Sequence, residues 1–360
     1  MTNKTFAVPT VDISPYLAGP GPESDARRAD VAAQLDRACR EVGFIQIVGH
    51  GVDAVIIDDF ASAMDEFFDL DDETKARYRG PTGSNRGYTP PKSASLSMSL
   101  GIPQANMMND FYEAFTVGRQ ADDYPHVDLP EGTYPRNIWP TEAGSFQSAV
   151  ARYNDAVTVV SRAVLWAFAD ALGVGRPFFE SLIDHSIDTL KMNNYALPEM
   201  SVDFAEELIG MGEHTDFGIL TVLWADRVAG LQILDKEGVW HDVIPDPGAL
   251  LVNLGDAMAR WTNDQWLSTI HRVNPPISDG RVQRRRSAAF FLDGNHDGVI
   301  EPIASFVADG DELYPPITVE QNIRAKIAGL ELGKAPANAG READRVLASH
   351  GNGRHRGPQS

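Results

Sequence analysis

Gly212-Glu213-His214-Thr215-Asp216-Phe217-Gly218-Ile219-Leu220-Thr221-Val222-Leu223-Trp224 is the stretch whose reading decides the fold. After the Asp the run is apolar and rich in β-forming residues, as a strand should be. Residues i and i+2 of a strand leave the same face, so a strand here projects His214 and Asp216 together, with Thr215 opposite. One imidazole and one carboxylate on a rigid element are the beginning of a metal site. Alone the pair means little. With 9 His and 51 acidic residues in 360, roughly one His-x-Asp/Glu arises by chance. His126-Val127-Asp128 is such a pair, in a Pro-rich loop with no strand after it, and reads as solvated surface.

His214 and Asp216 are set apart by partners further along the chain. His271 lies in Ser-Thr-Ile-His-Arg-Val-Asn-Pro-Pro, a second short strand closed by prolines. Then come Arg285-Arg286-Ser287 and the strand Ala288-Ala289-Phe290-Phe291-Leu292. Two His and one carboxylate form the facial triad of non-haem iron oxygenases, which leaves coordination positions open. An Arg and a Ser two apart share a strand face, and a guanidinium fork plus a hydroxyl suit a ligand carboxylate.

The order His-x-Asp, His-Arg-Val, Arg-x-Ser resembles the Fe(II)/2-oxoglutarate-dependent dioxygenases of the isopenicillin N synthase-like family. Other segments resemble the same family: Val8 to Ser14, Gly43 to Val52, Asp110 to Phe115, Asn137-Ile138-Trp139-Pro140, and Leu190-Lys191-Met192-Asn193-Asn194-Tyr195. The likeness runs over about residues 7–330. It implies a mainly β chain with flanking helices (α+β) around a double-stranded β-helix, a jelly-roll or cupin-like core. It also implies Fe(II) on His214, Asp216 and His271, with 2-oxoglutarate held by Arg285 and Ser287 near Asn193 and Tyr195, and O2 as the oxidant. The implied reaction releases succinate and CO2 and hydroxylates, desaturates or cyclises a small molecule, such as an amino acid or specialised metabolite. Because Asp216 is a carboxylate, no ligand position is vacated for halide. Two rival readings stay open: an isopenicillin N synthase-like oxidase that uses iron and O2 without 2-oxoglutarate, and a non-catalytic jelly-roll binding protein.

Residues 1–333 read as one oxygenase domain. It has a helix-and-strand region to about 180, a core over about 185–300 and a closing segment to 333. Residues 334–360 read as a flexible tail, poor in large apolar groups. The Ser/Met-rich stretch 93–109 reads as a loop that could lie over the site. Ser24 is the expected cap of a helix to about Val42, and Thr141 of a long helix stopped by Gly173. Residues 230–234 and 239–243 read as a hairpin, with His241 and Asp242 structural, and His50 as a turn residue satisfied by backbone. Arg86, Tyr88, Phe111 and Phe217 are the expected substrate-lining residues, Arg86 being a candidate partner for a substrate carboxylate.

Net charge is −20, which argues against nucleic acid, whose phosphates require a basic face. No apolar run reaches about 18 residues, so no membrane partner is expected. The single cysteine, Cys39, sits in a helical pattern and reads as a buried structural thiol. The expected protein is cytoplasmic, a monomer or weak homo-oligomer.

Overall fold

The computed structural model describes residues 6–19, 21–93, 110–196, 210–278, 281–308 and 314–332. The readings of 94–109 as a covering loop and of 334–360 as a tail lie outside these.

Two sheets face each other. The larger has eight strands in the order Thr10–Asp12, Phe44–Val48, Leu250–Leu254, Leu220–Ala225, Arg285–Leu292, Thr189–Tyr195, Glu113–Gly118 and Gly87–Thr89. All its pairings are antiparallel except the first. The smaller has four antiparallel strands, Met211–His214, His271–Val273, Leu231–Leu234 and Trp240–Asp242. This is the sheet-rich jelly-roll with flanking helices expected from the sequence.

Period-2 alternation divides the large sheet. Phe115, Met192, Ala288 and Trp224 are aligned across four neighbouring strands. They belong to or pack against a large core with Phe60 and Phe67 of the helix Ala54–Phe68 and Val157 and Val164 of the helix Phe146–Leu172. The other face carries Ala114, Tyr195 and Leu251, which pack with Met211, Ile233 and Val273 of the small sheet. The space between the sheets is therefore lined by one parity of the large sheet.

Local signals set the helix ends. Asp53 accepts from Val55 N at 2.9 Å and caps Ala54–Phe68. Gly173, at φ 69°, ends the 27-residue helix Phe146–Leu172. Two expected starts are corrected. The first long helix begins at Pro22, with Ser24 inside it, because proline at the first helical position is preorganised there. The helix expected from Thr141 begins at Phe146, since Thr141 is tied to Tyr78 instead. Cys39 is fully buried in Pro22–Glu41, and burial pushes its thiol well up. His50 is held by backbone, its Nε2 2.8 Å from Gly248 O. The hairpin Leu231–Leu234/Trp240–Asp242 forms as expected, and His241 pairs with Asp235 at 2.6 Å.

One correction concerns the deciding stretch itself. The chain from Met211 to Trp224 is not one strand. The first strand ends at His214 in the small sheet, and the next begins at Leu220 in the large sheet. Thr215 to Ile219 carry the chain across. Gly218 sits at this crossing because a Cβ there would lie 2.1 Å from Asp293 Oδ1.

Candidate metal centre

His214 ends the strand Met211–His214, and His271 begins its neighbour, so the two are direct cross-strand partners. Their rings lie 4.2 Å apart between centroids. Asp216 enters from the crossing loop, not from a shared strand face as the sequence suggested. Its Oδ1 lies 3.9 Å from His214 Nε2 and 3.8 Å from His271 Nε2. All three side chains are buried, and these donor atoms all lie within 4.8 Å of one another.

Each donor is oriented by a second bond. His214 Nδ1 is 2.8 Å from Gly212 O, and His271 Nδ1 is 3.0 Å from Thr269 O. A carbonyl only accepts, so each Nδ1 carries the proton and each Nε2 presents a lone pair. Asp216 Oδ2 accepts from Asn253 Nδ2 at 2.6 Å and from the Thr221 hydroxyl. That occupies one carboxylate oxygen and leaves Oδ1 facing the imidazoles. Burial, then the neighbouring His271, holds His214 well below the usual imidazole range. Burial alone would raise Asp216, but the two imidazoles and its two hydrogen-bond donors outweigh it and leave the carboxyl lowered. Neutral imidazoles with an ionised carboxylate are the donor set a divalent iron ion takes.

The crossing loop is fixed by the start of Asp256–Trp261. Asp256 N donates to Asp216 O at 2.8 Å, and Ala257 N to Gly218 O at 3.1 Å. The approach is so close that a Cβ on Gly255 would lie 2.0 Å from Gly218 O.

A second group of ligand-type side chains, His185, His296 and Asp297, also falls within 4.8 Å. There, Nδ1 of His185 meets Asp184 at 2.6 Å and Nε2 meets Asp297 at 2.9 Å. Both nitrogens are spent on carboxylates, which suits a ring clasping two loops better than a metal ligand. His126 and Asp128 are exposed, as expected of an incidental pair.

Beyond the triad, Arg285 is buried beside Tyr195, and Ser287 beside Asn193. Arg285 lies 5.2 Å over the Tyr195 ring and reaches Ser287 Oγ only at 3.4 Å. Among the described residues its Nε has no hydrogen-bond partner, and neither has Asn193 Oδ1. No carboxylate pairs with Arg285 among them either. A buried guanidinium with spare donors beside a hydroxyl fits a ligand carboxylate. Arg284 and Arg286 face the other way and bind Asp65 on the helix Ala54–Phe68, at 3.2 and 2.6 Å.

The expected substrate-lining residues divide. Arg86 and Tyr88 do not face the site. Tyr88 is aligned with Phe115 on the helix-packed face and donates to Glu113 at 2.7 Å. Arg86, on the same parity, donates to Arg119 O at 2.8 Å and to Asn85 O at 3.0 Å. Burial lowers its pKa to about 10, and its role is structural. Phe111 and Phe217 stay near the triad. Phe111 follows Asp110, whose carboxylate accepts from Gly212 N, and Phe217 follows Asp216. Asn322 Nδ2 donates to Phe217 O, and Lys326 Nζ lies 5.9 Å from the Phe217 ring.

Sequence reading missed Thr221 and Asn253, which hold Asp216, and Lys191, which lies on the inner face. Thr221 and Asn253 are each a lone polar residue in an otherwise apolar strand, which was the available signal; Lys191 lies in a strand with several polar residues and carried none.

Comparison with known proteins agrees with this geometry. Residues 8–142 match the family model described as the non-haem dioxygenase in morphine synthesis N-terminal region, and residues 187–294 match the 2OG-Fe(II) oxygenase superfamily. A 2-oxoglutarate-Fe(II) type oxidoreductase of Emericella nidulans is 35% identical over 325 residues, 88% of each chain. A validamycin A dioxygenase of Streptomyces hygroscopicus is 31% identical, over 89% of this chain and 86% of its own. Among solved structures, a Neurospora crassa enzyme in complex with 2-oxoglutarate and thymine superposes with a TM-score of 0.76 at 25% identity, covering 91% of this chain and 98% of its own.

Proposed function

The chain belongs to the 2-oxoglutarate- and Fe(II)-dependent oxygenases, and from that premise we propose that His214, Asp216 and His271 hold its iron while Arg285 and Ser287 hold its 2-oxoglutarate. The enzyme acts on a small molecule. Bound together with 2-oxoglutarate, the iron supplies the oxidising chemistry: O2 and 2-oxoglutarate become succinate, CO2 and one oxygen atom's worth of oxidising power.

The protein's part is positioning and shielding. His214 and His271 would hold the iron through Nε2 and Asp216 through Oδ1, a three-donor set that leaves coordination positions for 2-oxoglutarate and O2. Arg285 forms a charge-assisted pair with the distal carboxylate of 2-oxoglutarate, and Ser287 donates to the same group. Asn193 and Tyr195 flank it from the adjoining strand. Burial between two sheets excludes bulk water, which strengthens these contacts. The unpaired guanidinium of Arg285 is the observation that carries this reading, and it disfavours a binding protein with no carboxylate ligand.

Two finer points belong to the same reading. Residues 1–333 form one oxygenase domain, since the N-terminal helices share a core with the large sheet. The protein works in the cytoplasm as a monomer or weak homo-oligomer, with no nucleic-acid or membrane partner. The charge of −20 argues against a nucleic-acid partner. Among the described residues no helix is long and apolar enough to cross a membrane. One relative is named for validamycin A and a solved neighbour is in complex with thymine, so membership of the family leaves the substrate to the pocket.

The test is Arg285→Gln. A charge-assisted bond to a buried carboxylate contributes about 1.5–3 kcal/mol, so the KM for 2-oxoglutarate should rise roughly ten- to a hundredfold. Iron affinity should hardly change. An unchanged KM for 2-oxoglutarate would remove Arg285 from this role.

A further inference from the structure

Lys191 stands on the inner face of the large sheet, in the strand Thr189–Tyr195. Strand register places it opposite Ala289 on one side and Thr116 on the other, neither of which carries a charge. Its Nζ donates to Tyr112 Oη at 3.0 Å and lies 4.8 Å from that ring's centroid. Among the described residues it forms no ion pair. The side chain keeps some accessible surface, as a residue bordering the space between the sheets should. Yet protein surrounds the ammonium closely enough that burial pushes its pKa down to about 8, against the pull of Asp110 and Asp216. Its partner Tyr112 lies two residues after Asp110, which accepts from Gly212 N beside His214, so the ammonium sits toward the metal end of the inner face.

A lysine ammonium has three donors, and Tyr112 takes one. Buried charges are ordinarily paired, because leaving one unpaired in a low-dielectric interior is costly. On the reading above, the distal carboxylate of 2-oxoglutarate already has its partner in Arg285. Arg285 is aligned with Tyr195, four residues along the strand from Lys191, which is roughly 13 Å at the usual rise per residue. The two cations also keep different partners: the guanidinium lies at Ser287 and the Tyr195 ring, the ammonium at Tyr112, with the two tyrosine rings 5.6 Å apart.

We propose that Lys191, steadied by Tyr112, is the contact for an anionic oxygen of the prime substrate, which makes that substrate a small organic acid. The proposal rests on the reading of Arg285 as the 2-oxoglutarate anchor. With that site filled, the ammonium of Lys191 is, among the described residues, a cation with spare donors on the inner face, and it would hold an acidic group within reach of the triad.

The test uses enzyme loaded anaerobically with Fe(II) and saturating 2-oxoglutarate. Its probes are hexanoate, phenylacetate and benzoate, each titrated calorimetrically beside its own primary amide. At least one acid should bind ten- to a hundredfold more tightly than its amide, the range expected for a charge-assisted hydrogen bond. Lys191→Met should abolish that preference, and Lys191→Arg should restore part of it. Both variants should bind 2-oxoglutarate as wild type does, which shows that they are folded. If no acid outbinds its amide in wild type, or if the preference survives in Lys191→Met, the proposal is overturned. Failure of wild type to bind 2-oxoglutarate at all would instead overturn the cosubstrate reading beneath it.

Discussion

Asn253→Ala probes how the carboxylate ligand is aimed. Asn253 Nδ2 donates to Asp216 Oδ2 at 2.6 Å, and the Thr221 hydroxyl donates to the same oxygen. Together they hold Oδ1 toward the two Nε2 atoms, 3.8 and 3.9 Å away. Removing the amide deletes one hydrogen bond to a buried charge, about 1.5–3 kcal/mol. Part of that loss falls on the folded protein. The rest falls on iron binding, because a carboxylate held by Thr221 alone has more orientations to lose when it meets the metal. Loss of such an outer partner typically lowers metal affinity about 10–100-fold. The assay is an anaerobic competition for Fe(II) against a chromophoric chelator, with a melting curve as the folding control. Thr221→Val should act in the same direction, and the double variant should depart from additivity, because both donors serve one oxygen. If both single variants bind Fe(II) within twofold of wild type, the side-chain partners do not aim Asp216. The backbone bond from Asp256 N would then be sufficient.

Other consequences can be measured separately. Gly255→Ala sets a methyl group against Gly218 O and should destabilise by about 1–3 kcal/mol, with weaker iron binding because the loop carrying Asp216 is displaced; an unchanged melting temperature would contradict the close approach. Arg86→Gln should lower stability by roughly 1–3 kcal/mol and leave both KM values near wild type, since its donors go to Asn85 O and Arg119 O; a substrate-specific rise in KM would return Arg86 to the pocket. Lys191 has its folded pKa depressed to about 8 from 10.5, so burying its charge costs stability in full below pH 8, and the cost fades as pH rises toward 10.5. Lys191→Met should therefore stabilise the ligand-free protein most at or below pH 8, and a gain that instead grew toward pH 10 would have the wrong sign.

The sequence led to this triad by an inexact route. Strand alternation paired His214 with Asp216, whereas the chain leaves its strand at His214 and delivers Asp216 from the crossing between sheets. The crossing depends on the close contact of Gly218 and Gly255, residues 37 positions apart, which no local pattern displays. Alternation did work within a true strand. It set Arg285 with Ser287 on one face, and the structure turns Arg285 inward while Arg284 and Arg286 bind Asp65. Arg86 and Tyr88 were misplaced because a three-residue strand has no pattern of its own. Their direction follows from pairing with Glu113–Gly118. Lys191 was quoted within its strand but not singled out, because burial of an ammonium is a property of the packed pair of sheets. An acidic overall composition carries no sign of a cationic point inside the pocket.

The most direct test of the whole account is 2-oxoglutarate turnover by the iron-loaded enzyme. Wild type supplied with Fe(II), O2 and 2-oxoglutarate should release succinate and CO2 in equal amounts, faster once a substrate is present, and His271→Ala should release neither while His126→Ala matches wild type. Oxygen consumption with substrate but without 2-oxoglutarate, and with no succinate formed, would contradict it, and so would full turnover by His271→Ala.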